Sequence, residues 1–301
     1  MTGAAYSTKD LSASNNPLTT PEVVEAGIKL AYQKSVIAKT LLGYQGIDVS
    51  TVSTVEEGDT IGDVDWLSEN GALPKLDFQF LKGTKRVRPY GGWFEVTEEQ
   101  QEDQMVDEIS VMIKNCAYAM AYFEDLVIYN DIINANGLNT IDAKHPWDVS
   151  AGASAGDPLF DLQKAKRYVS SATKGQKPDV IVMSELTFGY LSAFDAIKNR
   201  LYNTQGADGY VVTGSIPTLL GMAIIQDDAV DPTDVGQCLV FKRKDIGIWQ
   251  ERYPLRTKNI PGSNYGKDQV AFKYTAKAKG EPNIKFPKLG CIINDLFTSP
   301  G

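Results

Sequence analysis

The sequence is poor in the side chains that most enzymes rely on. It holds one histidine, His145, and three cysteines, Cys116, Cys238 and Cys291, in 301 residues. A lone histidine excludes any chemistry that needs a histidine pair. The cysteines lie far apart and form no CxxC pair, so neither a disulfide framework nor a zinc site is expected. They read instead as small buried hydrophobes in a reducing compartment. No run of about 18 apolar residues occurs, which excludes a membrane-spanning helix. Met1 to Asn16 lacks the basic start and apolar core of a signal peptide. A basic excess is also missing: the formal net charge is −8, which gives no support to a free-standing nucleic-acid binder.

Phosphate-binding signatures are missing too. Neither G-x-x-x-x-G-K-[ST] nor a G-x-G-x-x-G following a strand is present. One G-x-S-x-G match does occur, at Gly152-Ala153-Ser154-Ala155-Gly156. A nucleophile elbow needs a strand before it and a helix directly after. This match sits among small loop-forming residues, and His145 precedes the serine, the reverse of that hydrolase order. Asp59, Asp63, Asp65 and Glu69 lack the alternation and central glycine of a calcium loop. Asp227, Asp228, Asp231 and Asp234 read as a solvated turn, where Asp and Pro are favoured. No catalytic, cofactor-binding or metal-binding residue is assigned, and an enzyme is not expected.

What is present is a globular composition, with 43% apolar and 23% charged residues, enough to build a core. Up to about Pro17 the chain reads as a polar arm. Thr20-Pro21-Glu22 then opens a helix whose apolar stripe includes Val24, Ile28, Ala31, Ile37 and Leu41, with Gly43 as its stop. Ile47 to Val55 reads as a strand. From Glu56 to Glu95, isolated aromatics, glycines and period-two stretches predict a long two-stranded ribbon. Such a ribbon is marginal in water and needs a surface to lie on. Its basic cluster Lys82, Lys85, Arg86 and Arg88, with Trp66 and Trp93, supplies the candidate inter-subunit contacts; in a chain of net charge −8 an acidic neighbour is the expected partner of that cluster.

The strongest periodic signal follows. Met105, Ile109, Met112, Cys116, Met120, Phe123 and Val127 recur in steps of three and four, predicting a helix from about Thr97 to Asn130, roughly 50 Å long. Asn136 to Gly156 reads as a connection. A shorter helix after Asp157-Pro158, a buried strand at Asp179 to Ser184, a helical stretch at Glu185 to Asn199, and buried strands at Met222–Gln226 and Cys238–Lys242 form a mixed α/β unit. Ile246–Thr257 and Gln269–Lys279 alternate like strands.

The order of these parts is similar to that of the Hong Kong 97-type capsid fold of tailed-virus major capsid proteins. Asp179-Val180-Ile181-Val182-Met183-Ser184 resembles its axial-domain strand. Ile216-Pro217-Thr218-Leu219-Leu220-Gly221-Met222-Ala223-Ile224 resembles its "leucine-leucine-glycine then strand" segment. Gln269-Val270-Ala271-Phe272-Lys273-Tyr274-Thr275-Ala276-Lys277 resembles its late peripheral-domain strand. The resemblance implies an α+β fold with an N-arm and first helix (1–46), an extended β-ribbon loop (47–96), a peripheral domain with a spine helix (97–156), a mixed α/β axial domain (157–244) and a return to the peripheral sheet (245–301). It implies hexamers and pentamers tiled into an icosahedral shell around double-stranded DNA, in a virion assembled in the host cytoplasm. Scaffolding, portal and decoration proteins are the further partners, DNA is held without sequence specificity, and no membrane is involved. Some members carry a cleaved N-terminal scaffolding domain; none is seen, which leaves a mature form or a separate scaffolding protein. Some relatives form lysine–asparagine crosslinks between subunits; Lys75, Lys82 and Lys85 lie in the expected ribbon, but no acid and asparagine partners can be assigned. The alternatives are an encapsulin-type nanocompartment shell, an α/β enzyme without an identifiable site, and a tail or adaptor protein.

Overall fold

A computed structural model of the chain describes residues 26–32, 36–61, 77–97, 106–149, 156–194, 197, 218–232, 236–261 and 270–298. The polar arm, Trp66 and most of the G-x-S-x-G match lie outside the described residues. The first half comprises a helical stretch at 26–32, α1 (Ala38–Leu41), β1 (Gly43–Gly46), β2 (Thr51–Ile61), β3 (Asp77–Arg86), β4 (Pro89–Thr97), α2 (Val106–Ile133) and β5 (Asn139–Asp142). Then follow α3 (Pro158–Ala172), β6 (Val180–Met183), α4 (Glu185–Ala193), β7 (Thr218–Leu219), β8 (Met222–Gln226), β9 (Cys238–Phe241), β10 (Gly247–Pro261), β11 (Val270–Ile284) and β12 (Gly290–Asn294). Short 3-10 turns occupy Asp228–Val230 and Pro287–Leu289. The fold is mixed α+β.

Continuous apolar runs become central strands because both of their faces are covered. Every residue of β6 and β9 is buried. They lie antiparallel in a six-stranded sheet of order β5-β12-β9-β6-β8-β7. Alternation splits the strand between two cores: Ile181 and Met183 join Leu162, Val169 and Leu191 of α3 and α4, whereas Val180 and Val182 join Ile128, Tyr129 and Ile132 of α2. Local chemistry sets the helix starts. Asp157 accepts the Phe160 N–H at 3.1 Å ahead of Pro158, and Ser184 accepts the Thr187 N–H at 3.3 Å. Each cap satisfies a donor that the first turn leaves open.

A second sheet has the order β1-β10-β11-β4. Its inner face brings Leu255, Tyr274, Ala276 and Ala278 against Ala117, Met120 and Ala121 of α2 and Ile28 and Tyr32 of the 26–32 helix. One helix therefore serves both sheets. Its 28 residues span about 42 Å at 1.5 Å per residue. Gly280 permits the close crossing of β11 over Trp249, which is 1% exposed. A Cβ at Gly280 would stand 2.3 Å from the indole Cζ2. Gly280→Ala is expected to lower stability by about 1–3 kcal/mol through overpacking, read as a drop in melting temperature; an unchanged melt would contradict this packing.

Several expectations need correction. Of the first helix the described residues hold 26–32 and α1; ahead of α1 the Val36 N–H donates to the Tyr32 carbonyl at 3.2 Å and Ile37 keeps a right-handed helical backbone. Gly43 does not stop α1; it begins β1, which pairs parallel with β10. Thr97 ends β4 and pairs with Val270, so α2 does not begin there. The ribbon is β2 paired with β3 from Thr51 through Arg86. Residues 89–97 leave it and join β11 instead. β5 and β12 escaped notice altogether, although β12 is a buried apolar run beside β9. Phe123, placed on the apolar stripe, is 48% exposed.

Candidate assembly surface

The ribbon forms a sheet of its own, β2 with β3 and no third strand among the described residues. Its base is fastened to the body by charge. Lys85 forms an ion pair with Asp131 of α2, donates to the Pro282 carbonyl at 3.0 Å and lies 3.7 Å from Glu281. Arg88 donates to Glu281 Oε1 at 3.0 Å. Glu281 is only 3% exposed, and two cations offset the cost of burying its charge. Lys85 and Arg88 thus have partners within the subunit. Lys82 and Arg86 are exposed on β3. Trp93 is 58% exposed and carries the Lys273 ammonium 3.4 Å from its ring centroid, a cation–π contact.

Between β4 and α2 runs an apolar groove of about 690 Å³ lined by Tyr90, Trp93, Phe94, Cys116, Met120 and Phe123. Groove, exposed tryptophan and self-paired ribbon lie on consecutive parts of the chain. Together they present apolar and charged surface of the kind that marks association.

Residues 81–276 match the phage capsid protein family model. The chain belongs to that family. It is a structural capsid protein, and its place is the virion capsid. No curated protein sequence matches it significantly. Solved structures of similar fold include the capsid of the cyanophage P-SCSP1u, with 13% identity, TM-score 0.59, and coverage of 86% of this chain and 88% of that one. The capsid of a native GTA particle has 16% identity, TM-score 0.59, and coverage of 87% and 91%. A virus-like particle from Pyrococcus furiosus has 12% identity, TM-score 0.61, and coverage of 91% and 98%.

The capsid chain also buries acids that sequence reasoning missed. Glu124 and Asp125 on α2 are 1% and 3% exposed. The signal was present: Glu124 falls four residues after Met120, so the buried stripe passes through it. Asp125 accepts the Ile37 and Ala38 N–H groups at 3.1 and 2.8 Å, capping α1 from another element. Glu124 accepts the Tyr32 hydroxyl. Lys39 lies 3.4 Å from Glu124 but 2.7 Å from Glu251. Tyr129 donates to Asp227 at 2.8 Å. These bonds tie residues 32–39, α2, β10 and the turn at Asp228 together.

Burial, then the charges of Asp125 and Glu251, push the Glu124 carboxyl up to about 9. Burial and Asp227 push Asp125 up to about 7 against its backbone donors. Raised carboxyls favour folding when protonated. That contribution is complete below the usual values of 4.5 and 3.8, and it is lost as pH rises to about 9 and about 7. Glu124→Gln is therefore expected to flatten the fall of melting temperature on the alkaline side, measured from pH 5 to pH 10. A profile parallel to wild type would refute the coupling.

Of the acidic turn residues, Asp227 accepts the Ala229 N–H, Asp228 the Glu185 N–H, and Asp231 the Gly236 and Gln237 N–H groups. They organise the turn around α4. Among the described residues no group of three or more His, Cys, Asp or Glu is placed to hold a metal ion, and no helix is long and apolar enough to cross a membrane.

Proposed function

We propose that this capsid protein assembles as hexamers and pentamers into an icosahedral shell enclosing double-stranded DNA, formed in the host cytoplasm and without enzymatic activity. The ribbon carries the reading. A two-stranded ribbon is marginal alone, and β2 and β3 pair only with each other among the described residues. A neighbouring copy supplies the missing surface, so that subunit contacts complete the fold.

On this reading the chain has the Hong Kong 97-type arrangement. Residues 1–46 are the N-arm and first helix, 47–96 the extended loop, 97–156 the peripheral domain with α2 as its spine, 157–244 the axial domain, and 245–301 the peripheral return. Lys82, Arg86, Trp66 and Trp93 meet neighbours directly. Lys85 and Arg88 contribute by fixing the direction in which the ribbon leaves the body. Scaffolding, portal and decoration proteins and packaged DNA are the remaining partners.

Electron microscopy of the expressed chain tests this. Closed particles with five- and six-fold capsomers are expected. Rings, tubes or monomers would reject it. Virions whose particles hold no nuclease-protected DNA would favour a nanocompartment instead.

A further inference from the structure

Ser50 sits where the ribbon joins the body. Thr51 pairs with Arg86 at the start of the ribbon, and the Val87 N–H donates to the Ser50 carbonyl at 2.9 Å. Two long side chains from the second sheet reach the same serine. Arg252 of β10 donates to Ser50 Oγ, and Lys279 of β11 donates to that oxygen at 3.1 Å. The strand register brings them there, because Lys279 pairs with Tyr253 on one side and Pro89 on the other, beside the irregularity between Glu251 and Tyr253.

A guanidinium and an ammonium thus share one neutral oxygen, with Arg86 alongside. No carboxylate bonds any of the three cations among the described residues. Two acids of the second sheet are engaged elsewhere: Glu281 with Lys85 and Arg88, Glu251 with Lys39 and Tyr44. Partial desolvation, then the charges of Arg252 and Arg86, draw the Lys279 pKa below its usual range. Arg252 and Lys279 are held by the Ser50 hydroxyl, which keeps its own proton to donate, and Arg86 stands exposed in register with the neighbouring Thr51. This is a preformed oxyanion cradle.

We propose that the foot of the ribbon is a carboxylate-binding site in which Arg86, Arg252, Lys279 and the Ser50 hydroxyl hold an acidic side chain from a second copy of this chain. Charge complementarity selects that occupant. The chain carries 38 acids against 30 bases, so every copy brings an excess of carboxylates to its neighbours. The sequence concentrates them: Glu98, Glu99, Glu102, Asp103, Asp107 and Glu108 fall within eleven positions without a base. A charged site on one copy filled by a different region of the next is a heterologous contact, the kind that closes rings. The proposal rests on the shell reading above and adds where one copy grips the next.

The test uses shells of the full chain and the double variant Arg252→Gln/Lys279→Gln. Removing two like charges relieves repulsion, so the isolated variant subunit is expected to melt no lower than wild type. Its shells are expected to lose subunits roughly tenfold faster at the same salt concentration, followed by light scattering. Arg86→Gln, made separately, is expected to act in the same direction. Subunit loss at the wild-type rate from both variants would overturn the proposal. A marked drop in subunit melting with unchanged shells would overturn it too, by making the cluster a purely internal device. Weakened binding of a fluorescent duplex DNA with unchanged shells would reassign the site to nucleic acid. Wild type that forms no closed particles would be seen before any variant is made; that result removes the shell reading and the proposal with it.

Discussion

Excising residues 53–84 is expected to leave a stable subunit that builds no closed shell. Val52 and Lys85 face each other across the ribbon, so a two-residue Asn-Gly turn joins them without strain. The cut spares Lys85 and its contacts to Asp131, Pro282 and Glu281. It also spares Val87, which is 1% exposed. Among the described residues nothing removed belongs to the three buried clusters, so the melting temperature should stay within about 2 °C of wild type, as for surface changes generally. What is lost is the ribbon surface offered to neighbours. Electron microscopy reads the outcome directly: closed particles of normal size from the shortened chain would sink the assignment of the ribbon to assembly.

Met120→Lys is expected to abolish soluble folding. Met120 is 4% exposed and packs among Ala117, Ala121, Leu255, Tyr274 and Ala276. An ammonium there loses its hydration, and the acid one turn on, Glu124, is already engaged by Tyr32 and Lys39. A cost of about 3–5 kcal/mol is of the order found for uncompensated buried charge, against a total stability of about 5–15 kcal/mol. Met120→Leu controls for position and should cost less than about 1.5 kcal/mol. Phe123→Lys gives a contrast on the same helix. Phe123 is 48% exposed, and a lysine there can reach water, so the protein should remain folded. Equal melting of Met120→Lys and wild type, by circular dichroism, would disprove the packing of α2 against the sheet.

That contrast shows where the sequence was legible. Period and burial agree at Met120, because the stripe of a long amphipathic helix survives small errors of phase. They disagree at Phe123, where α2 crosses from one sheet to the other and its buried face turns. A one-dimensional pattern carries no information about a helix that changes partners. β6 and β9 were legible as short apolar runs because both faces are covered; β8 was legible from the same kind of run although it is only half-buried. β12 has the same character but follows Pro287 and begins at Gly290, which masked it as a loop. β4 was assigned to the ribbon because its glycines and isolated aromatics continue the ribbon's composition; only the register with β11 separates the two. Of the assembly surface, the basic cluster was visible, but its division was not. Lys85 and Arg88 turn inward to Glu281, while Arg86 joins Arg252 and Lys279, residues far away in sequence. Glu124 and Asp125 were missed because charge reads as solvent exposure, and nothing local announces that Tyr32, Lys39 and the start of α1 will cover them.

The parallel pairing of β1 with β10 bears on when a newly made chain becomes competent. Tyr44 and Glu251, bonded through their side chains, lie 207 residues apart, and among the described residues β1 has no other strand partner. Asn139 of β5 likewise waits for Cys291 of β12. Pairings this distant form late, because the intervening loop must close first. A ribosome-bound chain that has emitted β1 and the ribbon still lacks β10, β11 and β12. Arg252 and Lys279 are also not yet made, so the ribbon foot is incomplete. On the proposed reading, translation order thereby acts as a timer: the grip at the ribbon foot cannot form before β10 and β11 have been made.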